Sequence, residues 1–271
     1  MSIGVGLRNQ HLDFFSKSSE KIDVLEIHPE NFFGNGIEHH YLEKISKKYD
    51  LSFHGVTLSL GSEERVNVET LKDLKKLITK YKPKYFSEHL SWTKYKDQYF
   101  HDLLPVQYTN KKLNDFIKNI TDTQNYLGMQ IFIENPSTYL NLKGEIREYE
   151  FLNKLCEKTG CSILLDINNL FVNSINHKFD PCVYIDNLDL SKVKEIHLAG
   201  HTEKQIKGHS IIIDTHDDFV TDDVWDLYKY FIKKAKSSFL TIVEWDAKLP
   251  SPKKLLGEAN KVKNLLLNQY G

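Results

Sequence analysis

Ser162-Ile163-Leu164-Leu165-Asp166-Ile167-Asn168-Asn169 is the stretch on which the fold turns. Three consecutive large aliphatic residues suit a strand buried on both faces, as in a parallel sheet. Asp166 then stands where such a strand leaves the sheet. In a barrel of parallel strands, that edge is the face that carries chemistry. The same arrangement, an apolar run closed by a carboxylate or an imidazole, recurs along the chain.

Upstream, the run 130–133 ends in Glu134-Asn135, and Pro136 prevents its continuation. The run 85–89 ends in Glu88-His89, and 51–54 ends in His54 before Gly55. The run 22–27 ends in Glu26, followed by His28-Pro29-Glu30-Asn31, and 3–7 leads into Arg8. Downstream, 193–198 contains His197 and precedes Gly200-His201, while 239–243 ends in Glu244-Trp245-Asp246. Between these runs the apolar spacing is helical. Residues 11–19, 38–48 and 255–266 read as helices, as do the faces Val68-Leu71-Leu74-Leu77-Ile78, Leu113-Phe116-Ile117-Ile120, Tyr149-Leu152-Leu155-Cys156 and Val224-Leu227-Tyr228-Phe231. Residues 91–105 read as irregular and aromatic, and 201–221 as a long polar loop. About eight strands, each followed by a helix or a long connection, predict an α/β fold, a (β/α)8 TIM barrel forming one domain over residues 1–271. The alternative is a doubly wound open sheet, but the first strand-to-helix turn lacks the Gly-x-Gly-x-x-Gly phosphate loop.

Composition predicts a folded, soluble protein. The 271 residues are 40% hydrophobic and 27% charged, with a net charge of -1. That balance gives no general attraction to nucleic acid or to a membrane. Cys156, Cys161 and Cys182 form no Cys-x-x-Cys pair and suit a reducing cytoplasm. The N-terminus lacks a signal-peptide pattern, and no apolar run is long enough to span a bilayer.

The groups at or just after the strand ends are His54, His89, Glu134, Asp166, Asn169, His197, Asp214, His216 and Glu244. Taken singly, each has an ordinary explanation. His54 or His89 could be a hydrogen-bonded structural histidine, Glu134 could cap its turn, and Asp166 could cap a short helix. Asp214 and His216 could simply be solvated. Taken together, they fall at successive strand ends and meet at one barrel mouth. Imidazole and carboxylate there suit borderline divalent metals such as zinc, iron or manganese. Nine groups exceed the needs of one ion, which implies a cluster of two or three, with Glu134 placed to bridge two. No cysteine belongs to the set, so the ligands are N and O.

The order His, His, Glu, Asp-x-x-Asn, His-Leu, Asp-x-His, Glu resembles the metal-site order of the endonuclease IV and xylose isomerase-like barrels. Endonuclease IV carries Asp-x-x-His where this chain has Asp166-Ile167-Asn168-Asn169, which bears on one ligand of a third ion. A second resemblance covers nearly the whole chain. Gly4-Val5-Gly6-Leu7-Arg8, Glu26-Ile27-His28-Pro29-Glu30-Asn31-Phe32, Ser87-Glu88-His89-Leu90-Ser91-Trp92, Glu134-Asn135-Pro136-Ser137, Leu165-Asp166-Ile167-Asn168-Asn169, His197-Leu198-Ala199-Gly200-His201 and Glu244-Trp245-Asp246 are similar to motifs of the DUF692 family, the multinuclear non-heme iron-dependent oxidative enzymes (MNIO).

That resemblance implies His54, His89 and Glu134 around one iron, and Glu134, Asp166, His197 and Glu244 around a second, catalytic one. Asn169, Asp214 and His216 would surround a weaker third. It implies iron of mixed valence, Fe(II)/Fe(III), with zinc or manganese possible in purified protein, and O2 as co-substrate. The implied reaction is oxidative modification of cysteine in a ribosomally made (RiPP) precursor peptide, presented by a separate partner protein. His201 is expected as an added ligand or a substrate contact. Trp92, Asn31 and Asp246 are expected on the substrate side, as are Trp245 and Phe32-Phe33. Two enzyme rivals share the barrel. A hydrolytic nuclease needs a basic surface, which the charge balance does not offer. A sugar isomerase or epimerase needs a proton-abstracting base, for which Glu30 or Glu88 could serve. A barrel used only to bind peptide leaves the metal-type ligands unexplained.

Overall fold

The computed structural model describes residues 1–96, 98–206 and 208–270. Its strands are β1 (Ser2–Gly6), β2 (Val24–Ile27), β3 (Asp50–His54), β4 (Tyr85–His89), β5 (Trp92–Tyr95), β6 (Gln98–Leu104), β7 (Phe132–Glu134), β8 (Ser162–Asp166), β9 (Val193–Leu198), β10 (Thr202–Ile206), β11 (His209–Ile213) and β12 (Leu240–Val243). Eight of them close into a parallel barrel in the order β1-β12-β9-β8-β7-β4-β3-β2. Around it lie α1 (Leu12–Lys17), α2 (Glu38–Ile45), α3 (Val68–Tyr81), α4 (Asn110–Leu127), α5 (Glu148–Thr159), α6 (Ile167–His177), α7 (Pro181–Asn187), α8 (Asp222–Lys234) and α9 (Pro252–Tyr270). The fold is the expected TIM barrel, and the open sheet is excluded by closure of β1 on β2 and β12.

Side-chain alternation along the strands sorts the interior from the outer layer. Leu25, Phe53, Phe86, Ile133, Ile163, Leu165, Ile196 and Val243 belong to the large apolar core that extends to the helices. Leu74 of α3 and Phe116 of α4 are fully buried in the same core. Truncating Leu74 to Ala would cost roughly 2–5 kcal/mol by cavity formation. Val24, Leu240 and Ile242 form a separate small cluster with Tyr85 against it, which plugs the barrel floor. Two residues further along each strand, Glu26, Ser52, Ser87 and Glu195 make a buried polar layer. Two residues further again come His54, His89, Glu134, Asp166, His197 and Glu244, all buried. Register supports this layering, since His89 lies beside Glu134 and Asp166 beside His197.

Capping ends the helices where the sequence suggests. Asn67 accepts the Glu69 N–H ahead of α3, and Thr109 accepts the Lys112 N–H ahead of α4. Each such cap is worth about 1 kcal/mol. Gly128 and Gly160 close α4 and α5 in the left-handed conformation.

Two expectations need correction. Residues 91–105 are not irregular: β5 and β6 pair antiparallel as a hairpin, with a bulge between Trp92 and Lys94. Residues 201–221 are not simply a loop, because β10 and β11 form a second antiparallel hairpin. Both hairpins expose most of their side chains, so neither shows the polar–apolar alternation of a half-buried strand. The helix α6 directly after β8 is the short helix that the sequence reading offered as the ordinary explanation of Asp166, which caps it.

Candidate metal centre

The six inward residues at the strand ends face one another at close range, and several of their polar atoms lack a hydrogen-bond partner. His54 Nε2 and His89 Nε2 lie 3.2 and 3.0 Å from the same oxygen, Glu134 Oε2. Yet Glu134 Oε2 is buried without a hydrogen-bond partner. His197 Nδ1 lies 3.0 Å from Glu244 Oε2 and 3.9 Å from Glu134 Oε1, and is also unpartnered. His216 Nε2 lies 2.8 Å from Asp214 Oδ1 and shares that condition, as do Asp166 Oδ2 and Asn169 Oδ1. Two atoms bound to a common ion at about 2.1 Å, at angles between square and tetrahedral, stand roughly 3.0–3.4 Å apart. The separations of Glu134 Oε2 from His54 and His89 and of Glu244 Oε2 from His197 fit that arrangement, and the donors are all N or O. Groups able to hold an ion are Glu26, His54 and His197; His54, His89 and Glu134; Glu134, Asp166 and His197; and Asp166, His216 and Glu244.

Surrounding groups fix which atom of each ring faces inward. His54 Nδ1 meets Ser87 Oγ at 2.8 Å, and His89 Nδ1 meets the Gly55 carbonyl at 3.1 Å. Both Nε2 atoms are thereby left for Glu134. His216 Nδ1 meets Asp246 Oδ2 at 3.0 Å. Arg8 donates from Nε to Asp246 Oδ1 at 2.6 Å and from Nη2 to Glu244 Oε1 at 3.1 Å. Gly6 makes room for this guanidinium, because a Cβ there would sit 3.0 Å from Arg8 Nη1.

The ends of β7 and β8 are tied together by a side chain. Asn135 donates from Nδ2 to the Asp166 carbonyl and accepts the Asp166 N–H, each at 2.9 Å. Asp166 Oδ1 accepts the Asn169 N–H at 2.7 Å and so caps α6. Asn169 Nδ2 reaches Glu134 Oε1 at 3.3 Å. His216 holds a left-handed backbone with φ of 44°, anchored by its N–H on the Gly200 carbonyl and by the Asp246 N–H on its own carbonyl. Gly200 is required there: a Cβ would fall 2.4 Å from the Asp218 carbonyl oxygen.

Burial and crowding displace the ionisations strongly. Burial raises Glu134 to about 7 against the pull of His89 and His197. Burial and the Glu134 charge push Asp166 well above the carboxylate range. Burial pulls His89 down, but the Glu134 charge and the Glu88 hydrogen bond overcome it and raise the ring to about 9. For Glu244, burial is outweighed by the His197 charge, which helps hold it at about 2. His54 is held well below its usual range by burial beside His89 and His197.

Above these residues opens a cavity of about 690 Å³, lined by Arg8, His28, His54, His89, Glu134, Asn169, Asp214, His216, Glu244 and Asp246 and walled by residues 102–105 and 136–140. Arg8 is the one Lys or Arg among the described residues of that wall. Of the residues expected on the substrate side, Asp246 lines the cavity. Trp92 stands behind it, donating from Nε1 to the Pro105 carbonyl at 2.9 Å. Asn31 is exposed outside it, Phe32 is buried and Phe33 half-buried, and Trp245 is buried against Phe219. His201 stacks on Phe171 and meets Asn168 Oδ1 at 2.9 Å. Asn168 in turn donates to Asp214 Oδ1 at 2.7 Å, so His201 buttresses Asp214 through an amide. Sequence reasoning missed Arg8, Asn135, Asn168 and the buried Glu26 and Glu195. Spacing holds a signal for the last two: Glu195 lies two residues before His197, and Glu26 two before His28, on the same strand face.

Comparison with known proteins bears on this arrangement. A family model described as RiPP precursor modification enzyme MbnB/TglH/ChrH matches residues 2–267. The UPF0276 protein VP3015 of Vibrio parahaemolyticus is 45% identical over 269 residues, covering 98% of this chain and 93% of that relative. Among solved structures, endonuclease IV from Thermus thermophilus superposes with a TM-score of 0.64 at 13% identity, covering 99% of this chain and all (100%) of the other. A xylose isomerase domain-containing protein from Salmonella typhimurium gives 0.65 at 12%, covering 98% and 97%. At those identities the likeness shows the xylose isomerase-like barrel alone.

Proposed function

The chain belongs to the MbnB/TglH/ChrH family of RiPP precursor modification enzymes, and on that premise we propose that it oxidises cysteine residues of a ribosomally made precursor peptide, using O2 at a cluster of two or three iron ions. The observation that carries this reading is the gathering, at one buried end of the barrel, of unpartnered N and O atoms from Glu134, Asp166, Asn169, His197 and His216. His54, His89 and Glu134 would hold the first ion. Glu134, Asp166, His197 and Glu244 would hold the second, and Asn169, Asp214 and His216 the third. Iron bound there supplies the one-electron chemistry with oxygen and thiolate that zinc lacks.

The protein's own groups do the rest. Glu134 turns one oxygen to His54 and His89 and the other toward His197, and so would serve both of the first two positions. Arg8 holds Glu244 Oε1, leaving Oε2 toward His197. The cavity admits a peptide segment past residues 102–105 and 136–140. No protein thiol competes with a substrate cysteine: Cys156 and Cys161 lie buried together with sulfurs 3.8 Å apart, and Cys182 sits on α7. A separate protein presents the peptide in this reading.

The rivals find less support. A phosphodiester needs several free cations, and Arg8, the one Lys or Arg among the described residues that line the cavity, already gives Nε to Asp246 and Nη2 to Glu244. The proton-abstracting base of an isomerase would be Glu30 or Glu88. Glu30 accepts the Val56 N–H and Thr57 hydroxyl, Glu88 accepts the Leu58 and His89 N–H groups, and neither lines the cavity.

The test is mass spectrometry of a cysteine-bearing precursor peptide co-expressed with the enzyme and its partner. An oxidative mass change is expected with iron and air, and none with Glu134→Ala or with zinc reconstitution. An intact peptide throughout, alongside metal-dependent nicking of abasic DNA, would favour the hydrolase.

A further inference from the structure

His197 is placed unlike the other imidazoles of the centre. His54, His89 and His216 each turn Nε2 toward the carboxylates and engage Nδ1 with a neighbouring oxygen. His197 is inverted, with Nδ1 facing Glu244 and Glu134. Its Nε2 points down the barrel at Glu26, 3.2 Å from Oε1 and 3.3 Å from Oε2. Both residues are wholly buried, and Glu26 lies beneath the cavity, outside its lining.

We propose that Glu26 is the positioning residue that keeps the His197 proton on Nε2 and so makes Nδ1 the metal-ligating atom. A neutral imidazole carries one proton, and the hydrogen bond made by one nitrogen decides what the other can offer. A carboxylate accepts and cannot donate, so Glu26 selects the Nε2–H form. The opposite form would set two acceptors against each other at Nε2 and aim an N–H at the ion. Glu26 also has the composition of a ligand, since its carboxylate, His54 and His197 offer atoms close enough to share an ion. Sharing that ion would require His197 Nε2, or leave Nδ1 facing Glu244 idle. The layering argues for the positioning role: Glu26 belongs to the polar tier below the ligands, with Ser52 and Glu195.

This inference rests on the reading that the cluster binds metal, and zinc is the probe because it is diamagnetic. Long-range ¹H–¹⁵N spectra of histidine-labelled, zinc-loaded protein should show, among the imidazoles that shift on loading, one that keeps its proton on Nε2. That resonance should move in Glu26→Gln. Competition with a chelating dye should show Glu26→Gln binding zinc about 10–100-fold more weakly, the range for a lost outer partner of a ligand histidine. The ions bound per chain at saturation should be unchanged, and Glu26→Asp should recover part of the affinity. Loss of one whole ion at saturation would make Glu26 a ligand, and wild-type affinity would make it idle; either overturns the proposal. Should the variant fail to fold, the wild-type spectrum decides alone: ligand imidazoles all protonated on Nδ1 overturn it. Wild-type protein that binds no zinc would overturn the metal reading itself.

Discussion

Asp166 caps α6 with one oxygen, accepting the Asn169 N–H at 2.7 Å, and leaves its other oxygen buried and unpartnered beside Glu134. One carboxylate thus starts a helix and offers a ligand. The two roles separate by substitution. Asn is as good a cap as Asp, but it lacks the charge that holds an ion. Asp166→Asn should leave the metal-free melting temperature unchanged or raised, because it removes a buried acid held well above its normal range. Metal affinity should fall at least tenfold. Asp166→Ala should lose affinity too, and also about 1 kcal/mol of stability. Thermal melts and metal titration of both variants decide; equal melts would remove the cap from the account.

Glu134 and Asn169 should differ in how much metal they retain. Glu134 faces His54 and His89 with one oxygen and approaches His197 with the other. Asn169 offers one unpartnered oxygen and a 3.3 Å hydrogen bond to Glu134. Glu134→Ala should therefore lose more ions per chain than Asn169→Ala. Metal analysis after identical reconstitution checks this, and equal losses would deny Glu134 its bridging place.

Stability of the metal-free protein should fall as pH rises through neutrality. Glu134 is raised to about 7 by burial, so its contribution is present below the unfolded carboxylate range near 4.5 and is lost by about 7. His89, for which Glu134 and Glu88 outweigh burial, is raised to about 9; its contribution is present below 6.5 and lost as pH climbs to about 9. Both signs agree. Metal reverses the trend, because ligands must shed those protons to bind it. Melting temperatures of chelator-treated and zinc-loaded protein between pH 5.5 and 9 should therefore diverge as pH rises. Parallel curves would mean that these groups do not titrate together with the metal.

The strand ends were legible because most of the inward candidate residues close an apolar run, as Glu134 does after Phe132 and Ile133 and Asp166 after Leu165. Glu195 was harder to see, since a single acid within Val193–Leu198 breaks no run and marks no end; Glu26 reads as the end of its run, but nothing in the run sets it apart from the acids that face the mouth. The hairpin of β5 and β6 turns through Lys96 with a φ of 54°, and a lysine there gives no turn signal. The second hairpin did carry one in Gly208, whose φ is 82°. Its exposed strands, polar along much of β10, masked it. Helix α6 opens Ile-Asn-Asn, a poor helix-forming start that the Asp166 cap offsets. Arg8 looked like the polar end of a strand, because its two acids lie 236 and 238 residues away.

Arg8 yields the most specific expectation about shape. Its guanidinium bridges Glu244 and Asp246, and Asp246 in turn holds His216 Nδ1. One cation therefore orients Glu244 and His216 together, which in the proposed cluster are a carboxylate of the second position and an imidazole of the third. Lysine keeps the charge but presents a single ammonium, which cannot span both acids with fixed geometry. Arg8→Lys should keep most of the fold and most of the metal at the position of His54, His89 and Glu134. Affinity at the other two positions should fall, together with peptide turnover. Arg8→Met should do worse, by roughly 3–5 kcal/mol in stability, because Glu244 is then left buried without its cation. Stepwise metal titration resolves the positions, and thermal melts of metal-free protein give the stability. Uniform weakening at all positions in Arg8→Lys would show a general electrostatic role in place of an orienting one.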